Sequence, residues 1–331
     1  MSEPQTEPIC TVDPYQYLHI TLNPDGTITR LPILPTIPAT PDIDDHNPAT
    51  VLSKDLTLNP NTKTWLRIFL PRKALDHSLS SSKKLPLIVF YQGGGFVILS
   101  ASSSVNHDFC YKLAELLTAV VVSIDYRKAP EQRLPAAYDD GVEVLQWLKT
   151  TDEKWVREFA DLSNCYLMGS SSGGNIVHHV GLRVSTRVHE FDHLKIKGLI
   201  LHQPFFGGSR RSESELRLVN DQIVPLSGSD LMWEFALPIG ADRDHEYSNP
   251  MVGKDGVDQF DVIKRLGLRI LMTVVNGDPL IDRQMEFVKA LKKKGVQVEE
   301  LYGEGYHSIE FFDQNKAEAL FHAIKDFIGN C

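Results

Sequence analysis

Gly169-Ser170-Ser171-Ser172-Gly173 constrains this chain more than any other stretch, because of what flanks it. Before it, Asn164–Met168 reads as a short buried strand that follows an acidic turn at Asp161. After it, Ile176, Val177, Val180 and Leu182 recur at helical spacing. A Gly-x-Ser-x-Gly at a strand-to-helix junction is a sharp turn that presents its central serine and forces it into a strained conformation. Glycine is needed two residues to either side, since a β-carbon there would strike the neighbouring strand and helix. Three serines are consecutive, but only Ser171 has glycine at both −2 and +2.

Two later segments supply partners for that serine. Leu268–Val275 is a mostly apolar, strand-like run, as a buried parallel strand should be, and it ends at Asn276-Gly277-Asp278-Pro279. The next strand candidate, Val296–Tyr302, ends at Gly303-Glu304-Gly305-Tyr306-His307. Asp278 and His307 therefore follow the C-terminal ends of strands, on the edge that also carries Ser171. In open parallel sheets that edge is where ligand crevices form. A fourth piece, Gln92-Gly93-Gly94-Gly95-Phe96, directly follows the strand Leu85–Tyr91. A triple glycine there lets backbone N–H groups approach a ligand oxygen closely, and with the N–H of Ser172 it would form an oxyanion hole.

These motifs, with Asp125–Ala137 (Asp-Tyr-Arg-Lys-Ala-Pro-Glu-Gln-Arg-Leu-Pro-Ala-Ala) between them, resemble those of plant carboxylesterases of the hormone-sensitive-lipase type, within the α/β-hydrolase superfamily. The chain order Ser171, Asp278, His307 is the order of that superfamily. The resemblance implies a catalytic triad of Ser171, Asp278 and His307, with Gly94, Gly95 and Ser172 donating to the oxyanion and Gly93 shaping the loop. It implies hydrolysis of small, short-acyl carboxylic esters through an acyl-enzyme, with no metal or organic cofactor. Three positions depart from the family pattern: Gln92 stands for its histidine, Gln132 for the histidine of Ala-Pro-Glu-His, and Ser170 for an acidic residue before the nucleophile. None removes a triad member.

Two other readings compete. An altered oxyanion loop at Gln92 would suit a lyase, cyclase or acyl transferase acting on a natural product. A hormone-binding receptor on this fold is the third reading, and His307 stands against it, because the resembling receptors lack the catalytic histidine.

The predicted architecture is a mostly parallel sheet wrapped by helices in one α/β domain over residues 1–331. Its core would come from about 51–204 and 266–331, and a cap from about 1–50 and 205–265. Trp65–Leu70, Ala119–Ile124 and Ile196–His202 read as further strands, and Ala136–Lys149, Met285–Lys294 and Ala317–Ile328 as helices. In the cap, Tyr15–Leu22 forms one amphipathic patch before the turn Asn23-Pro24-Asp25-Gly26. Helical pieces are expected at Ser212–Leu218 and Asp230–Leu237. Within this cap Asp221 and Trp233, with Phe96 of the glycine loop, are candidates to line the substrate pocket.

The bland alternatives concern the remaining polar residues. Asp282 competes with Asp278 but sits at a helix start, where it would cap its own helix. Most of the 12 histidines must be structural or superficial, among them His107, His178, His179 and His202. Asp242, Asp244 and His245 lack a fourth ligand at useful spacing and read as a solvated turn. A net charge of −9 argues against nucleic acid or an anionic membrane as partner. The polar start Met1–Thr6 is unlike a signal peptide, no apolar run reaches the roughly 18 residues of a membrane span, and Cys331 forms no prenylation box. Cys10, Cys110, Cys165 and Cys331 show no paired spacing, so free thiols and a cytosolic location are expected.

Overall fold

A computed structural model describes residues 9–42, 49–75, 84–252 and 259–329. Residues 1–8, 43–48, 76–83, 253–258 and 330–331, with Cys331 among them, lie outside these ranges. Eight strands build the main sheet: β3 (Val51–Asn59), β4 (Thr64–Pro71), β5 (Leu85–Tyr91), β6 (Val120–Asp125), β7 (Ala160–Ser170), β8 (Ile196–His202), β9 (Arg269–Gly277) and β10 (Val298–Tyr306). Their spatial order is β10-β9-β8-β7-β5-β6-β4-β3, parallel from β10 to β6 and antiparallel at β4 and β3. An alternating strand such as β5 sends Leu87, Val89 and Tyr91 to one face and Ile88 and Phe90 to the other. Helices cover both faces, which is why the central strands read as unbroken apolar runs rather than alternating ones.

On one face α2 (Ser104–Leu117) and α9 (Gln314–Gly329) bury Phe109, Leu113, Leu320, Ile324 and Phe327 against Ile88, Phe90, Met168 and Ile200. On the other, α3 (Ala136–Thr150), α4 (Ser172–Ser185) and α8 (Ile281–Lys293) place Leu145, Ile176, Val180, Phe287 and Leu291 against Leu87, Val89, Leu167, Leu199 and Met272.

β5 and β8 match their predicted limits, most other elements differ by a few residues at their ends, and β3 and β10 differ for reasons of their own. β3 went unrecognised because Lys54, Asp55 and Thr57 interrupt its apolar residues, as suits an edge strand that is half in water. β10 runs on to Tyr306, although Gly303 and Gly305 read as a loop. Gly303 still pairs with Val275, and Tyr306 with Gly277, across a register shift that absorbs the odd residues as a bulge. His307 is consequently the first residue off the strand.

The segment between β8 and β9 carries α5 (Glu213–Arg217), α6 (Leu226–Ala236) and α7 (Gln259–Arg265). α7 packs on α4 through His178 and Gln259, and on α8 through Phe260 and Phe287. The predicted patch Tyr15–Leu22 divides into a four-residue helix, α1 (Pro14–Tyr17), and strand β1 (Ile20–Leu22), which pairs with β2 (Ile28–Arg30) across the predicted turn. Asp13 caps α1 by accepting the N–H groups of Tyr15 and Gln16. This hairpin is tied to the body by Arg30, whose guanidinium meets both carboxylate oxygens of Glu131 at 2.6 Å. Tyr17 hydroxyl donates to the carbonyl of Ile223, ahead of α6.

Candidate active site

β7 enters the elbow and α4 leaves it, with Ser171 between them at φ 55° and ψ −120°. That left-handed backbone is unfavourable for a serine, and its surroundings enforce it. His202 carbonyl accepts the Ser171 N–H at 2.9 Å, and the Phe205 N–H donates to the Ser171 carbonyl at 2.9 Å. The flanking glycines are steric necessities. A β-carbon on Gly173 would stand 1.8 Å from the Tyr91 carbonyl oxygen, and one on Gly169 would stand 2.1 Å from that of Gly173.

His307 is 2% exposed and donates from Nδ1 to Asp278 Oδ2 at 2.8 Å, which leaves Nε2 as the proton acceptor. Nε2 has no hydrogen-bond partner among the described residues. Asp278 is fully buried and takes two further donors, the Leu280 N–H at 2.8 Å on Oδ1 and Gln284 Nε2 at 2.9 Å on Oδ2. Burial alone would pull the His307 pKa down. The charge and hydrogen bond of Asp278 outweigh it, so the value is raised above that of a free imidazole. Asp282 does not cap its own helix: its Oδ2 accepts the Ser214 N–H of α5 at 2.7 Å, which ties α8 to the inserted segment.

The glycine loop follows β5. Gly94 and Gly95 have φ of 110° and 58°, and among the described residues no hydrogen bond uses their N–H groups. A β-carbon on Gly95 would fall 1.8 Å from Met232 Sδ of α6. Ser172 opens α4, where the first N–H groups have no partner within the helix. Tyr126 hydroxyl donates to the Gln92 carbonyl at 3.1 Å and lies 3.4 Å from Ser172 Oγ, bracing loop and elbow together. The Gln92 side chain does not hold a backbone carbonyl, as its amide would have allowed. Its Nε2 donates to Asp125 Oδ1 at 3.0 Å, and the same oxygen accepts the Ala101 N–H.

A cavity of about 140 Å³ is lined by Gly93, Gly94, Gly95, Ser171 and His307, and otherwise mainly by apolar side chains such as Tyr17, Ile98, Ile223, Met232 and Phe311. Of the three residues proposed as pocket wall, none lines it. Trp233 and Phe96 lie in the layer behind, with Trp233 stacked on Phe205 at 4.6 Å and 5.6 Å from Phe96. Asp221 shapes the wall from outside by accepting the N–H groups of Ile223 and Val224 at 2.8 and 2.7 Å. Gln284, Ile223 and Met232 were not found from sequence, and Tyr126 entered only as part of the Asp125–Ala137 motif. Only Gln284 carried a signal, as a polar residue on the inward face of α8.

The other polar groups are structural. His178 stands edge-on to Phe287, with its pKa pushed by burial to about 4, and His179 stacks on Tyr138. Arg67 Nη1 lies 2.9 Å from His107 Nδ1. Asp244 accepts the Ser209 N–H and Asn249 Nδ2, and Asp242 accepts the Asp244 N–H. No three His, Cys, Asp or Glu side chains among the described residues are grouped to hold a metal ion.

The chain is similar to known proteins over most of its length. Residues 88–310 match a family model described as the alpha/beta hydrolase fold. The chain is 51% identical to carboxylesterase 20 of Arabidopsis thaliana, covering 98% of both chains. It is 45% identical to a 3-O-acetylpapaveroxine carboxylesterase of Papaver somniferum, over 96% of this chain and 99% of the relative. Among solved structures, an esterase of Pyrobaculum calidifontis shares the fold with a TM-score of 0.67 at 23% identity, over 83% of this chain and 84% of that one.

Proposed function

This chain belongs to the plant carboxylesterases of the α/β-hydrolase fold and is a carboxylic ester hydrolase, and from that premise we propose that Ser171, His307 and Asp278 carry the reaction on small, short-acyl esters. The observation that carries the reading is the posture of His307. Its Nδ1 is held by Asp278, and its unpartnered Nε2 belongs to the residue that lines one cavity with Ser171 and Gly93–Gly95.

In this mechanism His307 Nε2 takes the Ser171 hydroxyl proton as Oγ bonds to the ester carbonyl carbon. Asp278 keeps Nδ1 protonated and stabilises the imidazolium that results. The carbonyl oxygen becomes an oxyanion facing the N–H groups of Gly94, Gly95 and Ser172, each donor contributing on the order of 10²–10³ in rate. The carbon–oxygen bond to the alcohol then breaks, and the alcohol leaves with the proton from Nε2. Water repeats the sequence on the acyl-enzyme, with Nε2 accepting its proton and Ser171 as leaving group.

The size of the cavity supports a short acyl group. Apolar cavities on the order of 150 Å³ hold a guest the size of benzene, and this one is about 140 Å³. The name of the Papaver relative specifies an acetylated substrate. Gln92 gives the lyase-like reading little support, because its amide turns to Asp125 and leaves the glycine N–H groups alone. We also place the enzyme in the cytosol, since Cys110 and Cys165 are buried free thiols.

Intact-mass analysis after fluorophosphonate treatment, followed by peptide mapping, tests the assignment. A single adduct on Ser171 is expected. An adduct on Ser170 or Ser172, or none, overturns it.

A further inference from the structure

Beyond the triad, one buried side chain bridges the two loops that carry the nucleophile and the base. Gln203 is fully buried and follows β8 at φ 45°, a left-handed conformation that a non-glycine residue adopts only under constraint. Its neighbours hold Ser171 from both sides, through the His202 carbonyl and the Phe205 N–H, while its own N–H donates to the Thr273 carbonyl at 3.0 Å. Its backbone is thus fixed to the elbow and to β9.

Its side chain reaches across to the histidine loop. Oε1 accepts the N–H of Ser308, the residue next to His307, and Nε2 donates to both oxygens of Glu310 at 3.0 and 2.9 Å. The orientation of the amide is not open to choice. A backbone N–H needs an acceptor and a carboxylate needs a donor, so only this arrangement satisfies both. Glu310 is itself 8% exposed, and the fully buried His202, whose Nδ1 lies 2.6 Å from Thr273 Oγ1, places Nε2 3.5 Å from Glu310 Oε2. At that distance the contact is electrostatic, and His202 Nε2 completes no hydrogen bond.

We propose that Gln203 is a positioning residue for ester hydrolysis, setting the distance between Ser171 and His307 by spanning from the elbow to Ser308 and Glu310. The inference rests on the triad proposed above. Asp278 orients the imidazole ring, and it reaches the segment beside the elbow only through an intermediary, Gln284, whose Nε2 lies 3.4 Å from the Pro204 carbonyl. Gln203 joins the two loops directly. A buried bridge that is fully hydrogen-bonded is rigid, and a shift of about 1 Å between reacting groups can cost on the order of 10²-fold in rate.

The test uses the full chain, with p-nitrophenyl acetate turnover and the rate of fluorophosphonate labelling as readouts. Gln203→Met keeps the length of the side chain and removes its hydrogen bonds. It is expected to lower kcat and the labelling rate on the order of 10²-fold, with KM changed less than about threefold. The exchange Gln203→Glu with Glu310→Gln rebuilds each bond, since the carboxylate can accept both the Ser308 N–H and the new amide. It is expected to recover kcat to within about tenfold of wild type, a rescue that mere filling of space would not produce. Gln203→Met within about threefold of wild type, or a folded exchange variant no better than Gln203→Met, overturns the inference. If Gln203→Met fails to fold, the exchange variant decides alone, and its failure to fold also counts against the proposed bridge. Full activity in Ser171→Ala would instead overturn the triad itself, which separates the two failures.

Discussion

Asp278 Oδ2 lies 2.8 Å from His307 Nδ1, and the same carboxylate takes up the Leu280 N–H and the Gln284 amide. With three donors on a buried group, the ring of His307 has one orientation available. Asp278→Asn should lower kcat by roughly 10⁴, because an amide neither stabilises the imidazolium nor keeps the proton on Nδ1. Asp282→Asn should leave kcat near wild type and cost on the order of 1 kcal/mol of stability or less, since an amide oxygen can still accept the Ser214 N–H. Paired kinetics and thermal unfolding of the two variants check this, and the reverse pattern would mean that the wrong carboxylate was assigned.

The pH dependence follows from the raised pKa of His307. The base must be neutral to accept the Ser171 proton, so kcat/KM should fall as pH drops through a midpoint above the ordinary value of about 6.5. The groups acting on it are Asp278, then Asp221 and Glu310, all raising it against burial. The sign for stability is opposite. A histidine that binds its proton more tightly when folded adds stability below its unfolded pKa, and that contribution is lost as pH rises through the folded value. A pH–rate profile with its acid midpoint below 6 would contradict this.

Gly95→Ala tests the oxyanion loop. The new β-carbon would meet Met232 Sδ at 1.8 Å, and the φ of 58° disfavours any side chain. Displacing this loop should lower kcat on the order of 10²–10³-fold. Adding Met232→Ala should recover only part of that, since the flexible thioether gives way but the backbone strain remains. Met232→Ala alone should shift preference toward longer acyl chains, measured on p-nitrophenyl butyrate against octanoate. An unchanged chain-length profile would place the acyl group elsewhere.

Short p-nitrophenyl esters sample the triad and the oxyanion donors with little help from the rest of the cavity. The wild type should hydrolyse the acetate and butyrate, and Gln92→His should alter the rate by less than about 1.4 kcal/mol in transition-state terms. The reason is local: Gln92 Nε2 binds Asp125, and a ring N–H can do the same. If only Gln92→His shows turnover above Ser171→Ala, the esterase reading fails for this chain.

Positions set by steric need or by chain order were legible without coordinates. Gly169 and Gly173 announced the elbow because no other residue fits there, and Asp278 and His307 announced themselves by following strands. Contacts between distant segments were not legible. The partner of Gln92 could have been any nearby acceptor, and only the fold brings Asp125 to it. Asp282 looked like the cap of its own helix because local rules describe one helix at a time, whereas the N–H it accepts belongs to Ser214. Trp233 and Phe96 were sensible pocket candidates by type, yet Trp233 stacks on Phe205 and Phe96 packs tilted against it, one layer deeper.

The hairpin at the start of the described chain has a bearing on how the molecule is made. Tyr17 binds the Ile223 carbonyl 206 residues further along, and Cys10 the Val219 carbonyl 209 residues further along. At roughly 5–20 residues per second, ribosomal synthesis keeps Tyr17 waiting on the order of 10–40 s for its counterpart. Until then Tyr17 lacks that partner, although Arg30 of the hairpin can already meet Val97, Ala129 and Glu131. The wall that Tyr17 contributes to the cavity can therefore close only after translation has passed Ile223, so a nascent chain holds its elbow serine before it holds a pocket.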